Sequence, residues 1–262
     1  MELSIFQVDA FTDKVFGGNP AAICPLESWL PDKILQAVAL ENNLSETAYF
    51  VKTGERYHLR WFTPAAEMDL CGHATLASAF VLFQELGEHN DTVYFDTKSG
   101  ELKVTREGDL LKMDFPSRPP VKVTVDPGLV PALGGKPREI LASRDYFAIY
   151  DSEEEVLSLQ PDTSSLLKLD KPTFIVTARG KNCDFVSRFF APALGVAEDP
   201  VTGSAHCTLI PYWAEKLGKN TLHARQISAR GGELFCRLLG DRVEIAGRAV
   251  LYLKGSIWVP TV

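Results

Sequence analysis

GHATLASAFVLFQELG, residues 72–87, and GSAHCTLIPYWAEKLG, residues 203–218, decide the fold of this 262-residue chain. Each opens and closes on glycine and has the length of a helix of about four turns. The first is almost wholly apolar on every side as far as Gln84, and a helix without a polar face must be buried rather than laid on a surface. The two stretches stand 131 residues apart, and their surroundings repeat with them. RWFTP (60–64) precedes the first as RFFAP (188–192) precedes the second. SGELKVTREGDLL from Ser99 follows the first as GGELFCRLLGDRV from Gly231 follows the second. There Gly100, Glu101, Leu102, Gly108 and Asp109 fall on Gly232, Glu233, Leu234, Gly240 and Asp241. Three matches, in order and at nearly constant offset, indicate a duplicated unit rather than shared composition.

Within the unit, LSIFQVDAF reads as an opening strand that leads into the glycine-rich turn FGGNPAA. PDKILQAVALENN reads as a helix, with proline near its start and polar residues at its end. ETAYFV, YHLRWFTP, TVYFDT, ELKVTR and LLKMDF read as strands separated by turn residues. One buried helix among several strands predicts a sheet curled around it, twice. The expected fold class is therefore mixed α/β (α+β): two domains related by a pseudo-twofold axis, each a curled, mostly antiparallel sheet wrapped around a central helix. Four prolines in FPSRPPVKVTVDPG (115–128) interrupt the periodicity. They place the boundary so that the domains are 1–118 and 119–248.

The composition, 45% hydrophobic and 23% charged, supplies a large core. A net charge of -7 argues against a nucleic acid partner, which would call for a basic face. No apolar run is long enough to span a bilayer, and MELSIFQVDAF lacks the basic-then-apolar pattern of a signal peptide. A cytoplasmic protein with no membrane partner is expected. Five widely spaced cysteines without a C-x-x-C pair argue against a disulfide framework or structural zinc. Five scattered histidines include no helical ligand pair, so no metal is expected.

Polar residues gather where the two central helices begin. EMDLCGHA brings Glu67, Asp69, Cys71 and His73; AEDPVTGSAH brings Glu198, Asp199, Thr202, Ser204 and His206. Unpaired N–H groups and the positive end of the dipole point out of such starts. Gly72 and Gly203 place no Cβ in the way of a ligand. Two such ends facing each other across an interdomain cleft would suit a carboxylate or a developing anion. Well-capped tight turns explain either end taken alone. Titratable groups at both fit an active site better. LSETAYFV (44–51) adds a carboxylate, Glu46, at the head of an aromatic strand, where it is either solvated at the strand end or buried for a purpose.

At these residues the sequence closely resembles the PhzF-like family, named for the isomerase of phenazine biosynthesis. The matching stretches are VDAFTDKVFGGNPAAI, NLSETAYFV, RWFTPAAEMDLCGHATLA and FFAPALGVAEDPVTGSAHC, and they cover both halves of the chain. The resemblance implies the fold of diaminopimelate epimerase, with the active site between the domains. It also implies that the C-terminal segment 249–262 returns to the first domain, that the chain is a homodimer, and that no cofactor takes part. Its catalytic carboxylate lies in the S-E-T-A motif, which is Glu46 here. In the phenazine enzyme that group moves a proton between ring carbons of a dihydro-hydroxyanthranilate. The family's active-site histidine and aspartate match His73 and Asp199. Its serine matches Ser204, which joins Gly72, Gly203, Asn19 and Thr202 as candidates for binding a small carboxylate substrate. Tyr49 stands where phenylalanine is commoner.

Such chemistry needs a base with a pKa near neutrality, and burial raises a carboxylate toward that value. Two other classes stay open. Racemases and epimerases of this architecture use two cysteines; Cys71 occupies such a position, but 131 residues on stands Thr202. A one-thiol epimerase or dehydratase through Cys71 and a non-catalytic binding or scaffold protein remain the alternatives.

Overall fold

The strand Glu2–Ala10 (β1) begins with alternating exposed and buried residues and ends fully buried, as expected of a strand that starts at a rim and runs into a core. The computed structural model describes residues 1–260; the last two residues of the expected C-terminal segment lie outside the described residues. The chain divides into two units, Met1–Asp114 together with the segment from Ala246, and Phe115–Ile245.

In the first unit β1 pairs antiparallel with β2 (Asn19–Leu26). The helix α1 (Asp32–Asn42) then carries the chain to β3 (Glu46–Thr53), parallel to β2. The strand β4 (Arg56–Phe62) runs antiparallel to β3 and to the two-residue β5 (Glu67–Met68). Next α2 (Gly72–Gln84) crosses to β6 (Thr92–Thr97), parallel to β4. Hairpins lead to β7 (Gly100–Glu107) and β8 (Leu110–Pro116).

The second unit repeats these pairings. After the short helix α3 (Leu129–Leu133), β9 (Glu139–Ala142) pairs antiparallel with β10 (Tyr146–Ile149). Two short helices, α4 (Glu153–Ser158) and α5 (Thr163–Leu166), replace the single α1 in the crossover to the parallel β11 (Phe174–Arg179). The strand β12 (Phe185–Ala191) is antiparallel to β11 and to β13 (Val196–Asp199). Then α6 (Gly203–Leu217) crosses to β14 (Thr221–Gln226), parallel to β12, and β15 (Gly232–Leu239) follows antiparallel. After β16 (Arg242–Gly247), β17 (Ala249–Trp258) lies antiparallel against β1 of the first unit.

The two central helices meet the demand for burial differently. In α2, eleven of thirteen residues are buried. Its two buried hydroxyls, on Thr75 and Ser78, donate to the carbonyls of Cys71 and Ala74 one turn back, so neither costs an unmet hydrogen bond. In α6 a proline, Pro211, sits in the helix interior, which the sequence reading does not anticipate. Proline has no N–H for the carbonyl four residues earlier. That carbonyl, on Cys207, accepts instead from the N–H of Arg118 at 2.8 Å. A tertiary hydrogen bond thus offsets the local loss.

The turn before β2 sets where the site begins. Asp9 accepts the N–H of Phe16 at 2.8 Å, and Gly18 follows with φ +60°. A Cβ on Gly18 would lie 2.1 Å from the carbonyl oxygen of Ala10, a backbone atom that cannot step aside; one on Gly17 would meet the Thr12 side chain at 2.8 Å. Left-handed strain and overpacking add, so Gly18→Ala is expected to cost on the order of 3 kcal/mol. Gly17→Ala is expected to cost less than half as much. Urea unfolding of the two variants measures the difference.

Candidate active site

The strand β3 begins at Glu46, in register with Ala21 of the parallel β2. Successive residues alternate faces. Thr47 turns one way and receives the Asn42 amide at 3.0 Å, while Glu46 turns the other. The side chain of Glu46 is 15% exposed, and its Oε2 stands 3.0 Å from Nε2 of His73. The two atoms are close but off the alignment of a hydrogen bond. His73, in the first turn of α2, is 4% exposed. Its other nitrogen, Nδ1, faces the Asn19 amide nitrogen at 3.1 Å and the Cys71 sulfur at 3.5 Å. Three residues, Asn19, Glu46 and Cys71, therefore converge on one imidazole.

Charge in this cluster is set by burial. Burial, joined by the Glu46 carboxylate, pushes the Cys71 thiol up, so the sulfur carries its proton at neutral pH. Burial also works against a charged His73, while the Cys71 sulfur and the Glu46 carboxylate work for it and lift the imidazole above its ordinary range. The sulfur contributes to that lift only when it is ionised. A carboxylate beside an imidazole, both shielded from water, is an arrangement for moving a proton.

The carboxylate, sulfur and imidazole offer donor atoms within 4.8 Å of one another, a set that suits zinc. The ring, however, presents Nδ1 to Cys71 and Nε2 to Glu46.

In the second unit, Asp199 closes β13, and its Oδ2 accepts the hydroxyl of Thr202 in a short hydrogen bond. Thr202 caps α6 with extended backbone, as Cys71 caps α2. Gln226, buried at the end of β14, accepts the Thr202 N–H at 2.8 Å and donates to the Asp199 carbonyl at 2.7 Å. Ser204 accepts from the Arg144 guanidinium at 3.1 Å. Gly72 and Gly203 are the first residues of α2 and α6. His206 is fully buried; its Nδ1 lies 2.9 Å from the Thr202 carbonyl and so carries the proton.

Not every titratable group at the helix starts belongs to a cluster of this kind. Glu67 forms a two-bond pair with Arg60 (2.7 and 3.0 Å), and Glu198 the same pair with Arg188 (2.8 and 2.9 Å). The Arg60 guanidinium holds the Glu67 carboxyl down at about 2. These duplicated clamps tie β5 to β4 and β13 to β12. Gln226 and Arg144 are absent from the sequence reading. Gln226 had a signal: it shares the period-two face of Leu222 and Ala224, both buried. Arg144 had none, since it reaches Ser204 from 60 residues away.

A family model described as PhzC-PhzF, phenazine biosynthesis-like protein, matches residues 8–255. A Pseudomonas aeruginosa protein named as an uncharacterized isomerase is 53% identical over 98% of this chain and 99% of its own length. The crystal structure of a PhzF-family protein from Enterococcus faecalis superposes with a TM-score of 0.97 at 48% identity, covering 99% of this chain and all of that one. A hydroxyproline epimerase from Agrobacterium vitis has a TM-score of 0.65 at 10% identity, covering 98% of this chain and 92% of its own, a likeness of fold alone.

His206 makes stability depend on acid. Burial lowers its pKa from 6.5 to about 4, against the opposing hydrogen bond to Thr202. The unfolded chain binds the proton more readily than the folded one. The contribution is therefore complete above pH 6.5 and is lost as pH falls toward 4. That loss amounts to roughly 3 kcal/mol. Chemical denaturation between pH 7 and 4 should show a flatter acid limb for His206→Asn than for the parent.

Proposed function

From the premise that the chain belongs to the PhzC-PhzF family of phenazine biosynthesis-like proteins, we propose that it is an isomerase that shifts a proton within a small carboxylate-bearing substrate, without a cofactor. Glu46 is the acid/base. The observation that carries this reading is the shielded carboxylate of Glu46 held 3.0 Å from the buried His73. Glu46 would take a proton from carbon and return it at another position, with His73 next to it as the group that shares or stabilises that proton. Asp199, with Thr202 and Gln226 around it, and Ser204 are assigned to holding substrate. The starts of α2 and α6, at Gly72 and Gly203, would stabilise its carboxylate or the developing anion.

Cys71 is the competing base, favoured by its place 3.5 Å from His73. Two observations weigh against it. Burial keeps the thiol protonated, and its counterpart at the cap of α6 is Thr202, so no second thiol stands at the matching position.

Incubation in heavy water with a panel of small carboxylates, beginning with the dihydro-hydroxyanthranilate that the family resemblance implies, reads the reaction as deuterium gained at carbon. Glu46→Gln keeps size and removes the base. It is expected to slow exchange roughly 100- to 10,000-fold, while Cys71→Ser stays near the parent. The reverse pattern, with Glu46→Gln active and Cys71→Ser inert, would transfer the role to the thiol.

A further inference from the structure

Asn19 has no solvent exposure at all. It opens β2, directly after the Gly18 turn in which no Cβ fits, so its position is fixed by backbone. Its amide nitrogen faces Nδ1 of His73 at 3.1 Å, and the protonated Cys71 sulfur approaches the same atom at 3.5 Å. An amide NH2 is a donor only, and a thiol is a weak donor. The amide donor thus requires the ring nitrogen to accept, and the thiol, which can donate or accept weakly, adapts to it. The single proton of the neutral ring is then on the other nitrogen, 3.0 Å from Glu46.

We infer that Asn19 is a positioning residue that sets the tautomer of His73, holding the ring proton on Nε2 toward Glu46. Its work is done through the imidazole rather than by touching substrate. This assignment deepens the proposed isomerase and rests on that reading for its catalytic consequence, but the tautomer is a property of the protein by itself. With the proton on Nε2, His73 turns its N–H side toward the carboxylate and places a transferable proton on a nitrogen 3.0 Å from the base. With the proton on Nδ1, His73 would present a lone pair to that carboxylate and no proton to share. The groups that face the ring are Glu46 at Nε2 and Asn19 and Cys71 at Nδ1.

The test is nitrogen NMR of the protein labelled at histidine. His73 is identified among the five histidines by the signals missing from His73→Asn. At a pH above the titration of His73, where the ring is neutral, the unsubstituted protein should show Nδ1 of His73 without a proton and Nε2 with one. A proton on Nδ1 overturns the inference, and this measurement needs no variant of Asn19. Asn19→Asp is nearly the same shape but presents only acceptors to the ring, so it should move the proton to Nδ1. With a substrate from the exchange panel, kcat should fall roughly 10- to 100-fold, as for other residues that orient a working imidazole, with KM nearly unchanged. A merely structural Asn19 would leave the tautomer of Asn19→Asp as in the parent. If Glu46→Gln retains full activity while the tautomer is as stated, the isomerase mechanism fails and the assignment of Asn19 stands.

Discussion

A helix with no side that tolerates water has to be enclosed, and the first unit is the enclosure of α2. Eleven of its thirteen residues are buried, so strands must cover it along its length. Apart from the hydroxyls of Thr75 and Ser78, which bond back into the helix, and Gln84 at its end, its polar groups lie at the start, at Cys71 and His73. The strands that cover it bring their own starts to that turn. Asn19 opens β2, Glu46 opens β3, and the two strands run parallel with Ala21 opposite Glu46. The polar cluster is therefore a by-product of enclosure: the parallel pairing delivers two strand openings to the polar end of the buried helix. A buried charge is costly unless it is compensated. The cost to Glu46 is borne because the apolar remainder of the helix is buried around it.

The same logic with other chemistry operates at α6. Where the first unit places a thiol at the helix cap, the second places a hydroxyl, and Thr202 binds Asp199 rather than a histidine. The matched clamps, Arg60 with Glu67 and Arg188 with Glu198, show what the two units kept in common. Those ion pairs are mostly shielded and doubly hydrogen-bonded, so removing one partner would leave a stranded charge. The units share their scaffold and differ in the groups presented at the helix starts.

Much of this was legible because periodicity reports burial directly. The strands at 46–53, 56–62, 92–97, 100–107 and 110–116, and the buried helix from Gly72, follow from alternation and from an all-round apolar run. The mixed fold of sheets and central helices was legible from the duplication. Of the site, His73 and Cys71 were readable as part of a polar concentration at the helix start and Glu46 through the S-E-T-A resemblance, and the structure gathers them around one ring. What stayed hidden depends on contacts between distant segments. The partnership of Asn19 with His73 spans 54 residues, and nothing local in FGGNPAA announces it. Glu67 and Glu198 looked like site carboxylates because only the folded chain shows that an arginine on the neighbouring strand uses both oxygens. Pro211 argues locally against a continuous helix, and the tertiary donor that permits it, the N–H of Arg118, was not visible.

That proline also bears on how a tandem duplication keeps its copies apart. Two segments of one chain that read so alike could exchange places during folding, with the helix of one copy entering the sheet of the other. At the repeat offset, Pro211 corresponds to Phe80, which keeps its N–H. Only α6 therefore has a freed carbonyl at Cys207, and Arg118, in the segment that leaves β8, occupies it. If α2 took that place, the Arg118 amide would compete with an internal helical bond for its acceptor, at a cost of about 1 kcal/mol. One missing hydrogen atom in one of two kindred helices thus serves as an address label, read by the connecting chain that must be sorted to its own half.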